Sequence, residues 1–519
     1  MRKIFECNSI LIPKMCSKLK IVFLILAGLL AIVWLGGLTR CKTSWYDEAA
    51  YASRAVNFAD NRGMGMAFLK QPATAADAFV VDPLLRGVWF KVFDVGIFQN
   101  RIFNIVCLLG GCLFFYMACG LLQFSLFAKL LGMFLLALDS SWVWFIRTGR
   151  PDPSALLLIS ISFFCITRIL TNSPSLSRRL GWAILCGISI ALSFICHAYS
   201  IPTGCWFIVF LFVSMRPPFS PSKEKFMILA GLAAGGLLVA LGYMPYLVAN
   251  GQKIVSSFDF SRRYVGQEVT RSISILTTII TELRRWLRGS LIMFPAWLLV
   301  FRTIFTGLKK NHSPRRTWIV FGGSWIAIHF ISCLVLLPKH NWYPIGYAAI
   351  PFCFLAAMAM DIQSKERTKL TQVFYRWIGI GAVVWNLGLA LIYPITAALQ
   401  SRERSPEAAK KDFLAYLPRE STVACDFNPY LVLCECGFRP VFIYPSVIPY
   451  MNDEVFKGRY LIEVINSVDY IVLSHGDKLP DLFPNQLQYM RSVGSPKKDL
   501  KWAKDPPVWF DIYYVIAPK

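Results

Sequence analysis

Apolar residues along this chain gather into long runs separated by short polar turns, with no alternation at every second position over most of its length. The runs lie near residues 21–38, 102–122, 127–146, 154–171, 181–197, 201–215, 226–248, 287–305, 318–337, 343–361 and 377–398. Most are roughly 18 to 22 residues long, about what a helix needs to cross ~30 Å of hydrocarbon. Each has to be helical, because lipid offers no partner to a bare backbone N–H or C=O. The pattern predicts an α-helical polytopic membrane protein with about eleven transmembrane helices, occupying residues 1–400.

From about Ser401 the pattern becomes that of ordinary soluble sequence. Residues 422–427, 440–444, 469–474 and 508–516 read as strands, and 406–416, 453–466 and 481–491 as helices. Residues 401–519 are thus expected to form a small C-terminal α/β soluble domain. No Walker motif, no GxGxxG after a strand and no nucleophile elbow is present.

Composition agrees with a membrane chain: 56% of residues are hydrophobic and 16% charged, too few charges to cover a soluble surface of this size. The formal net charge of +24 raises the question of nucleic acid, but no zinc-finger spacing or RNA-binding signature supports such a partner. Position accounts for much of the charge. Arg178 and Arg179, then Arg216, Lys223 and Lys225, then Lys309, Lys310, Arg315 and Arg316, then Lys365, Arg367, Lys369 and Arg376 fill alternate connections. The turns between them, such as 197–202 and 339–344, carry one or two basic residues each, as expected of the outer side. Arg2, Lys3, Lys14, Lys18 and Lys20 put the N-terminus in the cytoplasm, before a first run with no small-residue cleavage site. An odd number of spans then places the C-terminal domain on the non-cytoplasmic side.

Two outer loops, 40–101 and 250–285, are long and basic, with Arg54, Arg86, Arg262 and Arg263 among their cations. Long loops cross a membrane largely regardless of charge. The functional alternative is that they hold an anionic group at the outer surface. Of fifteen cysteines, those within apolar runs (Cys107, Cys112, Cys165, Cys333) read as small hydrophobes. Cys425, Cys434 and Cys436 leave one disulfide open, with no pairing readable.

Four outer-side segments carry candidate chemistry. After the first span comes Trp45-Tyr46-Asp47-Glu48-Ala49-Ala50-Tyr51-Ala52-Ser53-Arg54. Ser44 and Asp47 have capping-box spacing, and acids suit a helix's first turn. Asp47, Tyr51 and Arg54 also share one helical face, bringing a carboxylate, a phenol and a guanidinium together. Between spans three and four, Arg147-Thr148-Gly149-Arg150-Pro151-Asp152-Pro153 reads as a tight turn with an N-terminal acid, which leaves its two arginines unexplained. Asp139 is an acid inside an apolar run, a costly position, with Arg147 as a neutralising neighbour. Lys339-His340-Asn341-Trp342-Tyr343 precedes span ten, where the aromatics double as interfacial anchors and Lys339 as a snorkelling base. His197-Ala198-Tyr199 is the fourth segment, and a lone histidine there is more often structural.

Sugar transfer from a lipid phosphate needs a base for the acceptor hydroxyl and cations for the departing phosphate, and these segments supply both. On the Trp45–Tyr51 and Arg147–Asp152 motifs, and more loosely on Lys339-His340-x-x-Tyr343 with Pro351, the chain resembles the GT-C class of polyprenyl-phosphate-sugar glycosyltransferases. Within that class it is similar to protein mannosyltransferases and lipid A aminoarabinose transferases over roughly residues 20–400. The resemblance implies an inverting transfer onto an acceptor hydroxyl on the non-cytoplasmic face. It implies Asp47 as the base, with Glu48 and Asp152 assisting. Arg54, Arg147, Arg150, Arg262, Arg263, Lys339 and His340 are candidates for the donor phosphate, and Tyr51 and Tyr343 for the acceptor side. A divalent metal is left open, with Asp47 and Glu48 as its ligands if one is used. Where bacterial members often carry a lysine between spans five and six, this chain has His197-Ala198-Tyr199. The expected partners are a polyprenyl-phosphate-linked sugar, a lipid, protein or glycan acceptor, and membrane lipids, in a bacterial inner membrane. Two rival readings stand beside this one: a transporter of lipid-linked sugar or ions, and an inactive assembly subunit.

Overall fold

The computed structural model describes residues 17–40, 46–63, 65–66, 79–171, 175–214, 222–269, 280, 294–309, 314–335, 343–364, 369–401, 404–443, 454–476, 485–494 and 508–516. Every apolar run falls on a helix over its described residues. In chain order the membrane part holds α1 (Ser17–Leu35), α2 (Tyr46–Ala59), α3 (Val81–Phe93), α4 (Ile97–Leu121), α5 (Leu126–Ala137), α6 (Ser140–Arg147) and α7 (Asp152–Thr171). It continues through α8 (Leu176–Phe194), α9 (Ile201–Ser214), α10 (Ser222–Val269), α11 (Phe294–Lys309), α12 (Pro314–Val335), α13 (Tyr343–Ser364) and α14 (Lys369–Leu399). Among the described residues α4, α7, α8, α10 and α14 are long and apolar enough to cross a membrane outright, and α5 with α6 makes a sixth, bent span. The remaining apolar runs lie on α1, α9, α11, α12 and α13.

Three local departures from the sequence pattern have physical causes. The run 127–146 is two helices meeting at 49°, because Asp139 ends one and caps the next. Its Oδ1 accepts from the backbone N–H of Ser141 at 3.0 Å and of Trp142 at 3.3 Å, satisfying donors that a helix start leaves bare. Arg147, read above as its neutraliser, instead donates to the carbonyls of Val33 (2.5 Å) and Gly36 (2.8 Å) at the end of α1. The second stretch read above as a long loop begins as helix, since α10 runs on through residues 250–269 with its proline, Pro245, upstream of them. The stretch 40–101, read above as a loop, contains α2 and α3.

Helices α8 and α10 touch through their backbones. A Cβ on Gly187 would stand 2.0 Å from the Leu232 carbonyl oxygen, and one on Gly235 would stand 2.1 Å from that of Ile184. Small residues allow such approach where lipid removes the hydrophobic drive for helices to associate.

Beyond α14, α15 (Pro406–Tyr416) leads into a five-stranded sheet of β1 (Val423–Cys425), β2 (Val441–Phe442), β3 (Tyr470–Ser474), β4 (Leu487–Gly494) and β5 (Trp509–Val515). The order is β2-β1-β3-β5-β4, with β1 parallel to both neighbours and β5 antiparallel to both of its own. Short α16 (Tyr430–Glu435) and α17 (Glu454–Ile465) provide the crossovers. The helix expected over 481–491 is corrected: residues 487–494 are the edge strand β4, paired with β5. Gln488, Met490 and Arg491 favour helix locally, but the open edge of β5 offers backbone partners, and pairing overrides propensity. Cys425, Cys434 and Cys436 are free thiols, and burial pushes Cys434 up to about 12 and Cys436 up to about 11.

This sheet shares its hydrophobic core with the membrane part. Ala49, Ala50 and Ala52 of α2, with Ile97 of α4, are buried in the same cluster as Leu431, Phe438 and Phe442. At the rim of the contact, Arg439 donates through Nε to Asp60 Oδ2 at 2.7 Å. Burial raises the Asp60 carboxyl, but hydrogen bonds from Arg439 and Arg62 more than offset this and hold it below its ordinary value.

The backbone contact between α8 and α10 makes a sharp prediction. Gly187→Leu or Gly235→Leu should destabilise the folded protein by about 1–3 kcal/mol through overpacking. Gly236→Leu, where a Cβ meets nothing within 4 Å, should be nearly neutral. Thermal unfolding of the purified variants in one detergent checks this, and equal losses at all three positions would contradict it.

Candidate active site

The first turns of α4 read Gln99-Asn100-Arg101-Ile102-Phe103-Asn104, which sets four polar residues at the N-terminal end of an otherwise apolar helix. Arg101 grips Glu48 with two hydrogen bonds, Nε to Oε1 at 2.9 Å and Nη2 to Oε2 at 2.8 Å. Asn100 Nδ2 adds a third bond to Oε1 at 3.0 Å. The remaining guanidinium nitrogen, Nη1, donates to the Leu38 carbonyl at 2.6 Å. One arginine thus binds α1's end and α2's start to α4, and both partners of the ion pair are buried. Gly149, at φ +59°, belongs to the same clamp: a Cβ there would stand 2.3 Å from Asn100 Nδ2 and 2.6 Å from Glu48 Oε1.

A second buried pair lies beside the first. Asp82 and Arg86, one turn apart on α3, are joined at 3.0 and 3.1 Å. Arg86 also donates to the side-chain oxygens of Asn100 (2.5 Å) and Asn104 (2.9 Å), and Ser154 of α7 donates to Asp82 at 2.6 Å. Asn104 donates to the carbonyls of Phe145 and Arg150, so the turn holding Arg150 is tied to α4 as well.

The third pair is Arg150 with Asp152, Nε to Oδ2 at 2.7 Å, at the N-terminus of α7. The other carboxylate oxygen, Oδ1, accepts no hydrogen bond of normal length from a described residue and stands 3.9 Å from Nδ1 of His197. That nitrogen accepts from the backbone N–H of Tyr199 at 3.4 Å and lies 3.2 Å from the buried Tyr347 hydroxyl. Deeper in, Thr203 Oγ1 accepts from Trp325 Nε1 at 3.1 Å and lies 2.6 Å from Nε2 of His329.

Of the expected site residues, Glu48, Asp152 and Arg150 therefore share one buried polar region, each already engaged, while Arg147 is buried and engaged with the end of α1. Tyr51 and Arg54 are neighbours as the helical spacing required, with the guanidinium carbon 5.4 Å from the ring centre. The backbones of Asp47, Tyr343, Arg262 and Arg263 lie in α2, α13 and α10, while their side chains, and Lys339 and His340 entirely, fall outside the described residues. No group of three or more metal-type ligands occurs among the described residues. With both oxygens held by Arg101 and Asn100, Glu48 does not fit a metal ligand as it stands.

Asp82, Asn100, Arg101, Asn104, Ser154 and Tyr347 were absent from the residues singled out above, Arg86 was named only as one of a loop's cations, and Gly149 only as part of a turn. The available signal was the Asn100, Arg101 and Asn104 spacing, which puts three polar groups on neighbouring turns of an apolar helix. Polar groups there are expensive and need partners.

No protein-family model matches this chain, and no curated relative matches it. Its fold is similar to that of ArnT from Cupriavidus metallidurans in the apo state, with TM-score 0.64 at 13% identity, over 96% of this chain and 98% of ArnT. The same protein bound to undecaprenyl phosphate gives TM-score 0.63 over the same shares. The arabinofuranosyltransferase AftD from Mycobacteria matches with TM-score 0.54 at 13% identity, over 95% of this chain and 40% of AftD. The chain is an integral membrane protein with the GT-C fold.

The clamp around Glu48 can be tested without any activity. Removing one partner strands a buried charge, so Arg101→Met should cost about 3–5 kcal/mol of stability. Replacing both, Arg101→Met with Glu48→Met, should cost much less than the single change. Unfolding midpoints of the purified variants measure this, and a double variant weaker than the single would contradict the pairing.

Proposed function

We propose that this chain is a glycosyltransferase that takes a sugar from a polyprenyl-phosphate donor and delivers it, with inversion, to an acceptor hydroxyl on the non-cytoplasmic face. The observation that carries this is the likeness, over nearly the whole of both chains, to an ArnT structure bound to undecaprenyl phosphate. It is supported by the acidic first turn of α2, where Glu48 is clamped and Asp47 precedes it.

In the proposed step the acceptor oxygen attacks the anomeric carbon as the bond from that carbon to the phosphate oxygen breaks. The hydroxyl proton passes to the Asp47 carboxylate, and the polyprenyl phosphate leaves with the bonding electrons. The leaving phosphate gains charge during the step, so positioned cations lower the barrier. Arg54, Arg262, Arg263, Lys339 and His340 are assigned to it. Arg147 and Arg150 are instead assigned to holding the site's frame, because one ties α1 through two carbonyls and the other holds Asp152. Tyr51 and Tyr343 are assigned to the acceptor side. The protein is proposed to lie in a bacterial inner membrane with its N-terminus in the cytoplasm and its sheet domain outside.

Asp47→Asn tests the base directly. Losing general-base catalysis should lower transfer by roughly 10²–10⁴-fold. Binding of polyprenyl phosphate should persist, since an amide keeps the shape of the carboxylate. Reconstituted Asp47→Asn protein transferring sugar at the wild-type rate would remove Asp47 from the mechanism.

A further inference from the structure

The cap position of α4 supplies no side-chain hydrogen bond of its own. The first N–H groups of a helix have no partner within it, and the residue at the cap position is Gly96, with no side chain to offer. Glu435, at the end of α16 in the sheet domain, fills this role from outside, its Oε1 accepting from the backbone N–H of Ile97 at 2.5 Å. Its negative charge also complements the positive end of the helix dipole. The second oxygen, Oε2, pairs with Lys410 of α15, which fixes the carboxylate's orientation. A glycine at position 96 leaves room for two side chains: a Cβ there would stand 2.3 Å from Gln99 Oε1 and 2.8 Å from the same Glu435 oxygen.

Within one turn of that cap lie Asn100 and Arg101, the two residues that hold Glu48. Glu48 in turn adjoins Asp47. From this we infer that Glu435 is a positioning residue for the site, acting through the first turn of α4 on the Asn100–Arg101 clamp and so on the start of α2. The inference rests on the glycosyl-transfer reading above for its catalytic consequence, though not for its structural part. The sheet domain is on this account a component of the active site's frame. The apolar seam of Ala49, Ala50 and Ile97 against the sheet domain's core lies alongside the same link.

The test uses the full chain in lipid nanodiscs, as wild type, Glu435→Ala and Glu435→Gln. Amide hydrogen exchange is read over residues 97–101 and 48–52. Sugar transfer from a labelled polyprenyl-phosphate sugar is read as kcat and donor KM separately. Glu435→Ala should speed exchange in both segments and lower kcat about tenfold, the scale of effect that small misplacement of catalytic groups produces, with donor KM nearly unchanged. Glu435→Gln keeps an acceptor oxygen and should recover most of both losses, which a general loss of fold would not allow. Unchanged exchange in the alanine variant would overturn the inference. So would faster exchange with a wild-type kcat, since the contact would then only hold two domains together. A wild type that transfers no sugar would sink the functional reading, and the exchange data would still decide whether Glu435 fixes this turn.

Discussion

Charge that has left water has to be matched, and that requirement organises the part of this molecule where α1, α2, α3, α4 and α7 meet. Three ion pairs, Glu48–Arg101, Asp82–Arg86 and Arg150–Asp152, are each buried on both sides. Desolvating a carboxylate or a guanidinium costs several kcal/mol, which only close geometry and further hydrogen bonds recover. Here the further bonds come from Asn100, Asn104, Ser154 and backbone carbonyls, so the pairs merge into one network. Its hub is the first two turns of α4. Elements far apart in sequence, from the end of α1 to the start of α7, are held in register by side chains from those turns.

What could be read from the sequence follows from what the membrane dictates. Lipid forces an apolar run to be a helix whatever its neighbours do, so each run named from pattern alone falls on one. The neighbourhood of Tyr51 and Arg54 was likewise legible, because helical spacing is local. The long-range ion pair was not. Glu48 and Arg101 are 53 positions apart, and a single sequence shows only that each is charged. Arg147 and Arg150 were read as cations for a donor phosphate, and their long-range contacts were not legible: one donates to the carbonyls that end α1 and the other's backbone carbonyl is tied to α4. Asp139 read as a costly acid within a span, neutralised by Arg147, and is a helix cap at a bend. The edge strand β4 was hidden for a related reason, since its residues favour helix and only pairing with β5 decides otherwise.

The sheet domain is continuous with this frame. Its core absorbs the alanine face of α2, Arg439 meets Asp60 at that helix's far end, and Glu435 caps α4. The half-exposed Arg439–Asp60 pair contributes little stability by itself. Together with the buried apolar seam it fixes where the domain sits. A domain joined to both α2 and α4 constrains the two helices whose contact defines the candidate site, so fold and proposed chemistry depend on one set of interactions.

The central claim is that this frame serves transfer of a sugar off a lipid phosphate. Purified protein in proteoliposomes, given a radiolabelled polyprenyl-phosphate sugar and a membrane extract as acceptor source, tests it most directly. The account predicts that label moves onto an acceptor while free polyprenyl phosphate appears in equal amount. Label that crosses the bilayer still attached to its lipid, with no transferred product, would contradict it and identify a transporter instead.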